Sequence, residues 1–337
     1  MKYIFIISVI IIFLSCLFII FLAATSKENF DIKRLEFPFK NVFNEKGEIM
    51  NIIALTAPFR THEHKKIFQS YKKKSIPIIG VTSYLNFPGP INNKFEDNYH
   101  IKHPFNYIDS CIGWLYCFRE LQSRGLSNVP KIKMSESDLY DPTLFTPNET
   151  KEYDFIYVCL NDNKDCAPGW QSSIRNWELF KKCLPILCEK FKLTGLIIGR
   201  QNCDYTPKCK NSLKVIDFLP YHKFINLMSK CKFLIVPNIT DPSPRIIAEA
   251  LCLNIPILVN KHIYGGWHYV NEKTGEFFTD EHDFDIQLQK LLSNLSKYQP
   301  RKFYQENYGI INSGVKLKEF IKELYPELKK CKYLTIK

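Results

Sequence analysis

The sequence holds no C-x2-C pair and no Cys/His cluster at ligand spacing, so its twelve cysteines do not read as a zinc site. Walker A, G-x-S-x-G and H-E-x-x-H patterns are all missing, which removes P-loop, α/β-hydrolase and zincin chemistry. There is no internal repeat, and so no solenoid. Long blocks of one charge are also lacking. The 46 basic and 34 acidic side chains, net +12, are dispersed, and no RNP-like aromatic run accompanies them. That pattern argues against nucleic acid as a partner. Attraction to a diphosphate or to an anionic membrane surface explains the surplus as well as lysine-rich composition does.

What is present is a folded chain. At 337 residues, with 45% apolar and 14% aromatic side chains, it has the length for two domains and the composition to bury both cores. Tyr3 to Ala24 carries no charge. A helix there would cross about 30 Å of hydrocarbon, and its apolar core exceeds the roughly 7–15 residues of a cleaved signal peptide. Residues 1–25 therefore read as a transmembrane signal anchor, giving a single-pass membrane protein, with 26–48 as a stalk. The side of the membrane stays open. Lys27, Lys33, Arg34 and Lys40 after the span favour a cytosolic body, whereas the sequons at Asn148, Asn238 and Asn294 fit a lumenal one. Cys203 and Cys209 flank a short loop and could pair in an oxidising compartment, while Cys183, Cys188, Cys231 and Cys252 read as buried.

From Met50 onward strands and helices alternate in the manner of a parallel α/β sheet. Residues 109–122 read as an amphipathic helix with Ile112, Leu115, Tyr116, Phe118 and Leu121 inward, and Val315 to Leu328 as a C-terminal helix. The most informative run is DPSPRIIAEAL, Asp241 to Leu251, directly after the apolar strand Phe233–Val236. It sets two carboxylates, Asp241 and Glu249, across the start of a helix with Pro244 near the first turn. Unpaired backbone N–H groups, a positive dipole end and Arg245 suit a phosphate, and an acid at each end can hold sugar hydroxyls. The alternative on spacing alone is a capped helix with a solvated Glu249.

The parts around this run are Asn254–Val259 as a further strand, then Gly265-Gly266, then Thr274-Gly275-Glu276-Phe277. Upstream stand Tyr153–Cys159, Arg175-Asn176 and Leu196–Gly199. This order resembles the C-terminal half of GT-B glycosyltransferases, specifically the large group 1 retaining family with an E-x7-E acid pair. Asp241 stands at its first Glu, Glu249 at its second, Ala250-Leu251 complete the EAL step, and Asn254 takes a usual Gly position. Arg175 matches a basic residue that contacts the donor diphosphate, and Gly199 a strand-ending glycine. Phe145-Thr146-Pro147 is similar to the connector between halves.

The resemblance implies an α/β chain of two Rossmann-like domains. These are an acceptor domain at 49–147 and a nucleotide-sugar donor domain at 148–312, with residues 313–337 as a helix crossing back. It implies transfer of a hexose from a nucleotide sugar to a glycan, lipid or protein hydroxyl, with retention and without metal or other cofactor. Arg175 and Arg245 would take the diphosphate, and Gly199 and Ser243 would allow or supply close backbone contacts. Glu249 would hold the ribose and Asp241 the donor sugar. His103 would join Asp241 as a catalytic residue, because the family often has a donor-contacting His; His62, His64 and His100 are weaker candidates. Pro242-Ser243-Pro244 replaces the family's G-F-G, and Leu160-Asn161-Asp162 replaces its Gly-Arg. Those departures support a second reading, a catalytically inactive nucleotide-sugar-binding or scaffolding module.

Overall fold

The computed structural model describes residues 35–85, 87–89, 102–122 and 125–337. The expected membrane span and His100 lie outside these. Among the described residues no helix is long and apolar enough to cross a membrane.

Strands β1 (Phe39–Asn44), β2 (Ile49–Leu55), β3 (Ile78–Val81), β4 (Gly113–Tyr116) and β5 (Lys131–Lys133) come first in the chain. β6 (Tyr153–Val158), β7 (Gly195–Ile198), β8 (Leu213–Ile216), β9 (Cys231–Val236), β10 (Ile257–Asn260) and β11 (Gly275–Phe278) follow, and β12 (Leu334–Ile336) comes last. They form two six-stranded sheets, ordered β12-β1-β2-β3-β4-β5 and β11-β10-β9-β6-β7-β8. The second sheet is parallel throughout, as is the β2–β5 part of the first. Buried on both faces, these strands are nearly continuous apolar runs, as in Phe233-Leu234-Ile235-Val236. Their side chains still alternate between two cores. Phe155 and Tyr157 enter one with Phe180 and Phe284, and Ile156 enters the other with Leu196, Leu234 and Ile247.

The principal helices are α1 (His62–Lys73), α2 (Trp170–Ile174), α3 (Trp177–Pro185), α4 (Tyr221–Ser229), α5 (Arg245–Cys252), α6 (Phe284–Ser293), α7 (Pro300–Asn307) and α8 (Gly309–Leu324), with short helical turns at Tyr107–Ser110 and Pro207–Ser212. In the third core Leu317, Phe320 and Ile321 of α8 pack on Val42, Ala54 and Ile79 of the first sheet. The C-terminal helix thus lies on the first sheet. It runs over Gly309–Leu324 rather than 315–328, because Pro326 stops it.

Three expectations change. Residues 39–44, expected in a stalk, form β1, antiparallel to both β2 and β12. The β1–β2 turn closes on Asn44, whose side-chain oxygen accepts from the amides of Lys46 and Glu48. Residues 109–122, expected as a helix, give a central strand, β4, with Trp114 and Leu115 fully buried. A short apolar run has no period that separates strand from helix, and parallel partners on both sides decide it here. Leu334-Thr335-Ile336, within the 313–337 segment expected as helix, is instead a strand and pairs with Val42–Asn44.

Connections between the halves are polar and specific. Arg301 of α7 donates to the carbonyls of Phe145 at 2.8 Å and Pro142 at 2.6 Å, and buried Tyr269 donates to Asp138. A second junction lies beyond β4. Cys117 Sγ donates to the Pro242 carbonyl at 3.0 Å, Arg119 N to that of Tyr264 at 3.1 Å, and the Phe118 and Tyr264 rings stack at 5.1 Å.

Candidate functional site

The site is built on the loop between β9 and α5. Pro244 caps the helix, so the chain turns into α5 without a side-chain cap. Asp241, only 5% exposed, is held from several directions. Its carboxylate accepts from Ser243 N at 3.1 Å, from Asn238 Nδ2 at 2.9 Å, and from Arg175 Nη1 in an ion pair. Asn238 is itself buried, which places that sequon inside the site.

Gly265 braces this loop from below. Its N–H donates to the Asp241 carbonyl at 2.9 Å, and a Cβ at this position would collide with the Pro242 carbonyl. Only glycine permits that approach.

Two helical residues later than Ile247, Glu249 points into the same space and is 7% exposed. Its Oε1 accepts from the hydroxyls of Tyr140 at 3.3 Å and Tyr221 at 3.2 Å. Burial pushes the Glu249 carboxyl above the usual carboxylate range, opposed by the Tyr221 hydrogen bond and the charge of Arg245. Both tyrosines are pushed upward in turn, first by burial and then by Glu249, so they act as hydroxyl donors.

Arg175 is positioned through α2. Asp162, after β6, accepts from the amides of Gln171 at 2.6 Å and Ser172 at 2.9 Å, at the start of that helix. Asp162 is in turn ion-paired to Arg200, a fully buried side chain. Hydrogen bonds from amides and arginine lower the Asp162 pKa even though burial opposes them. Arg175 then caps α2 at its far end, with its N–H on the Gln171 carbonyl at 2.9 Å, and reaches Asp241.

These side chains line one cavity of about 430 Å³. Arg175, Asp241, Ser243, Arg245 and Glu249 form the wall given by the second sheet's loops. Lys40, Thr56, Ser83 and Glu136 form the facing wall, with Phe37 and Trp170 also on the lining. Five of the seven residues singled out from sequence therefore meet here. Gly199 does not line it. With φ +90 and its Cα against the Cys159 carbonyl, it shapes the turn that buries Arg200. His103 does not line it either; its ring lies 4.5 Å from that of His62.

Sequence reasoning missed the first-sheet wall, Tyr140 and Tyr221. Tyr140 stands just before the Phe145-Thr146-Pro147 connector and Tyr221 opens α4 directly after Pro220, and neither carries a local signal that separates it from a core tyrosine. Cys203 pairs with Cys166, not Cys209, at a Cα separation of 5.1 Å. Cys209 is buried in the core, with its Sγ directed at the Leu184 carbonyl. Among the described residues no group of His, Cys, Asp and Glu is arranged to hold a metal ion.

Two open α/β sheets with a cleft at the carboxyl ends of their parallel strands define the GT-B fold, and solved structures agree. TarM superposes with a TM-score of 0.58 at 12% identity, over 81% of this chain and 54% of TarM. Anabaena HepE, solved with UDP and glucose, gives 0.55 at 11% identity, over 80% and 78%. Sucrose-phosphate synthase from Thermosynechococcus elongatus gives 0.54 at 10%, over 77% and 71%. The chain spans about half the length of TarM. No protein-family model and no curated protein matches it by sequence.

Proposed function

We propose that this chain is a glycosyltransferase that moves a hexose from a nucleotide-sugar donor to a hydroxyl acceptor, anchored to a membrane through Tyr3–Ala24. The observation that carries the reading is the meeting of Arg175, Asp241, Ser243, Arg245 and Glu249 on one cavity wall at the start of α5. Ligands of open α/β sheets bind at such strand ends. The solved structures of this fold include HepE with UDP and glucose, which supports the donor class.

In this reading Arg175 and Arg245 hold the diphosphate and stabilise the charge that develops as the glycosidic bond breaks. Two guanidinium groups and the α5 N-terminus supply that stabilisation without a metal. Glu249, already oriented by two tyrosine hydroxyls, accepts from the ribose hydroxyls. Asp241 accepts from the donor sugar, and the Ser243 N–H lies beside it. The departing phosphate oxygen takes the proton of the acceptor hydroxyl, which keeps attack on the face of departure and so retains configuration.

The second reading, a nucleotide-sugar-binding module without turnover, is favoured by one observation. Arg175 and Asp241 are engaged with each other, so neither is free for donor. Calorimetric titration with nucleoside diphosphates and their sugars, followed by an assay for release of free sugar, tests both. Binding with turnover supports the enzyme, binding alone the module, and no binding removes both. Resistance of the full chain to alkaline extraction from membranes tests the anchor.

A further inference from the structure

We infer that the first-sheet wall of the cavity is an acceptor subsite for a neutral sugar, with Glu136 as the residue that orients the acceptor hydroxyl; this rests on the donor reading above. Lys40 lies on β1, and Glu136 on the segment that leaves β5 at the far side of the sheet. Their ion pair at 2.6 Å spans the mouth of the first domain. Lys40 approaches Glu136 Oε1 off the hydrogen-bonding direction, so the contact is one of charge. Oε1 is buried and has no hydrogen-bond partner among the described residues. Glu136 is 13% exposed and lines the cavity. A carboxylate so placed is a hydrogen-bond acceptor with its charge already compensated, which suits a hydroxyl.

The charge balance of the cavity selects the class of acceptor. Its lining contains three cations, Lys40, Arg175 and Arg245, and three acids, Glu136, Asp241 and Glu249. Lys40 is committed to Glu136, and a nucleotide sugar brings a negative charge on each phosphate to Arg175 and Arg245. Among the described lining residues no cation is then left over for an acceptor phosphate or carboxylate, and a further anion would sit among acids in a confined space. A neutral polyhydroxyl ligand meets no such penalty. Aromatic surface supports the same class. Trp170, 40% exposed, lines the cavity and offers its ring to the apolar face of a pyranose, and Phe37, 39% exposed with the Arg60 guanidinium 4.4 Å from its ring centre, adds apolar surface. Ser83, also on the lining, donates its backbone N–H to the Val81 carbonyl at 2.9 Å, and its hydroxyl offers a further polar contact.

The test is an acceptor panel on the full chain, pairing neutral mono- and oligosaccharides with the same sugars bearing phosphate or carboxylate, alongside a peptide and a lipid alcohol. Glycosyl transfer and nucleotide affinity are both measured, for the native chain, for Glu136→Gln and for the double variant Lys40→Met/Glu136→Gln. The double variant removes the unpaired Lys40 that the single one leaves, and thermal melting verifies folding of both. Neutral sugars are expected as acceptors. Loss of one charged hydrogen bond raises acceptor KM in Glu136→Gln roughly tenfold to a hundredfold, while nucleotide affinity stays within about twofold. Preference for phosphorylated, carboxylated, peptide or lipid acceptors overturns the inference, as does an unchanged acceptor KM in a folded variant that binds nucleotide. A chain that binds no nucleotide sugar overturns the donor reading, and the subsite falls with it.

Discussion

Arg175, at the end of α2, and Asp241, in the β9–α5 loop, are ion-paired across the wall of the cavity, and the carboxylate is the more deeply buried partner. Both residues were assigned to the donor, one to its diphosphate and one to its sugar. In the structure each engages the other. Under the proposed function a diphosphate would compete with Asp241 for the guanidinium and so release the carboxylate toward the sugar.

Asp241→Asn separates those two consequences. Arg175 loses its anionic partner, so affinity for a free nucleoside diphosphate rises several-fold, whereas transfer of the sugar falls by at least tenfold. Titration calorimetry and a transfer assay on the same preparation check both directions. Equal losses in the two measurements would contradict the exchange.

Glu249 sets a pH dependence. Its folded pKa is raised by burial, so the folded state holds the proton more tightly than the unfolded chain. Stability contributed by this group is therefore present at acid pH and declines as pH rises from the ordinary carboxylate range through the raised folded value. Glu249→Gln lacks this decline, and melting temperatures of the two proteins diverge toward neutral pH in favour of the variant. Under the proposed function nucleotide affinity moves oppositely, because the ribose contact would use the carboxylate. Calorimetric scans and titrations across this range measure both.

Gly265→Ala places a Cβ against the Pro242 carbonyl. Either the Gly-Gly turn or the β9–α5 loop must move, at a cost of about 2–4 kcal/mol. Urea denaturation reads the stability, and nucleotide titration reads the displaced loop. A variant as stable as the parent would mean that the turn yields freely.

Arg200→Met tests the support beneath Arg175. Without the guanidinium, buried Asp162 is left uncompensated beside the start of α2, a loss of roughly 3–5 kcal/mol. The double variant Arg200→Met/Asp162→Asn recovers part of that loss. Comparison of the three unfolding curves gives the coupling.

The second sheet was largely legible because its strands are long apolar runs separated by turn residues, and because one helix carries both acids. Asn254 illustrates how a departure can be neutral. It stands in place of glycine with φ +59, a left-handed conformation that asparagine tolerates. The first sheet was less legible for physical reasons. β4 is a four-residue strand whose partners, not its own period, decide its conformation, and β12 lies a whole domain away from β1 in sequence. Lys40 and Glu136 were invisible as a pair because nothing local links them; only the sheet brings them together. His103 rests only on the family's donor-contacting His, and the fold sets it beside His62, off the cavity lining.

The pairing of β12 with β1 also orders events on the ribosome. The first sheet acquires its outer strand and α8 only after every strand of the second sheet has been synthesised. The half that begins first is thus completed last, and until then β1 presents an open edge able to pair with another chain. The second domain, contiguous in sequence, has no such wait.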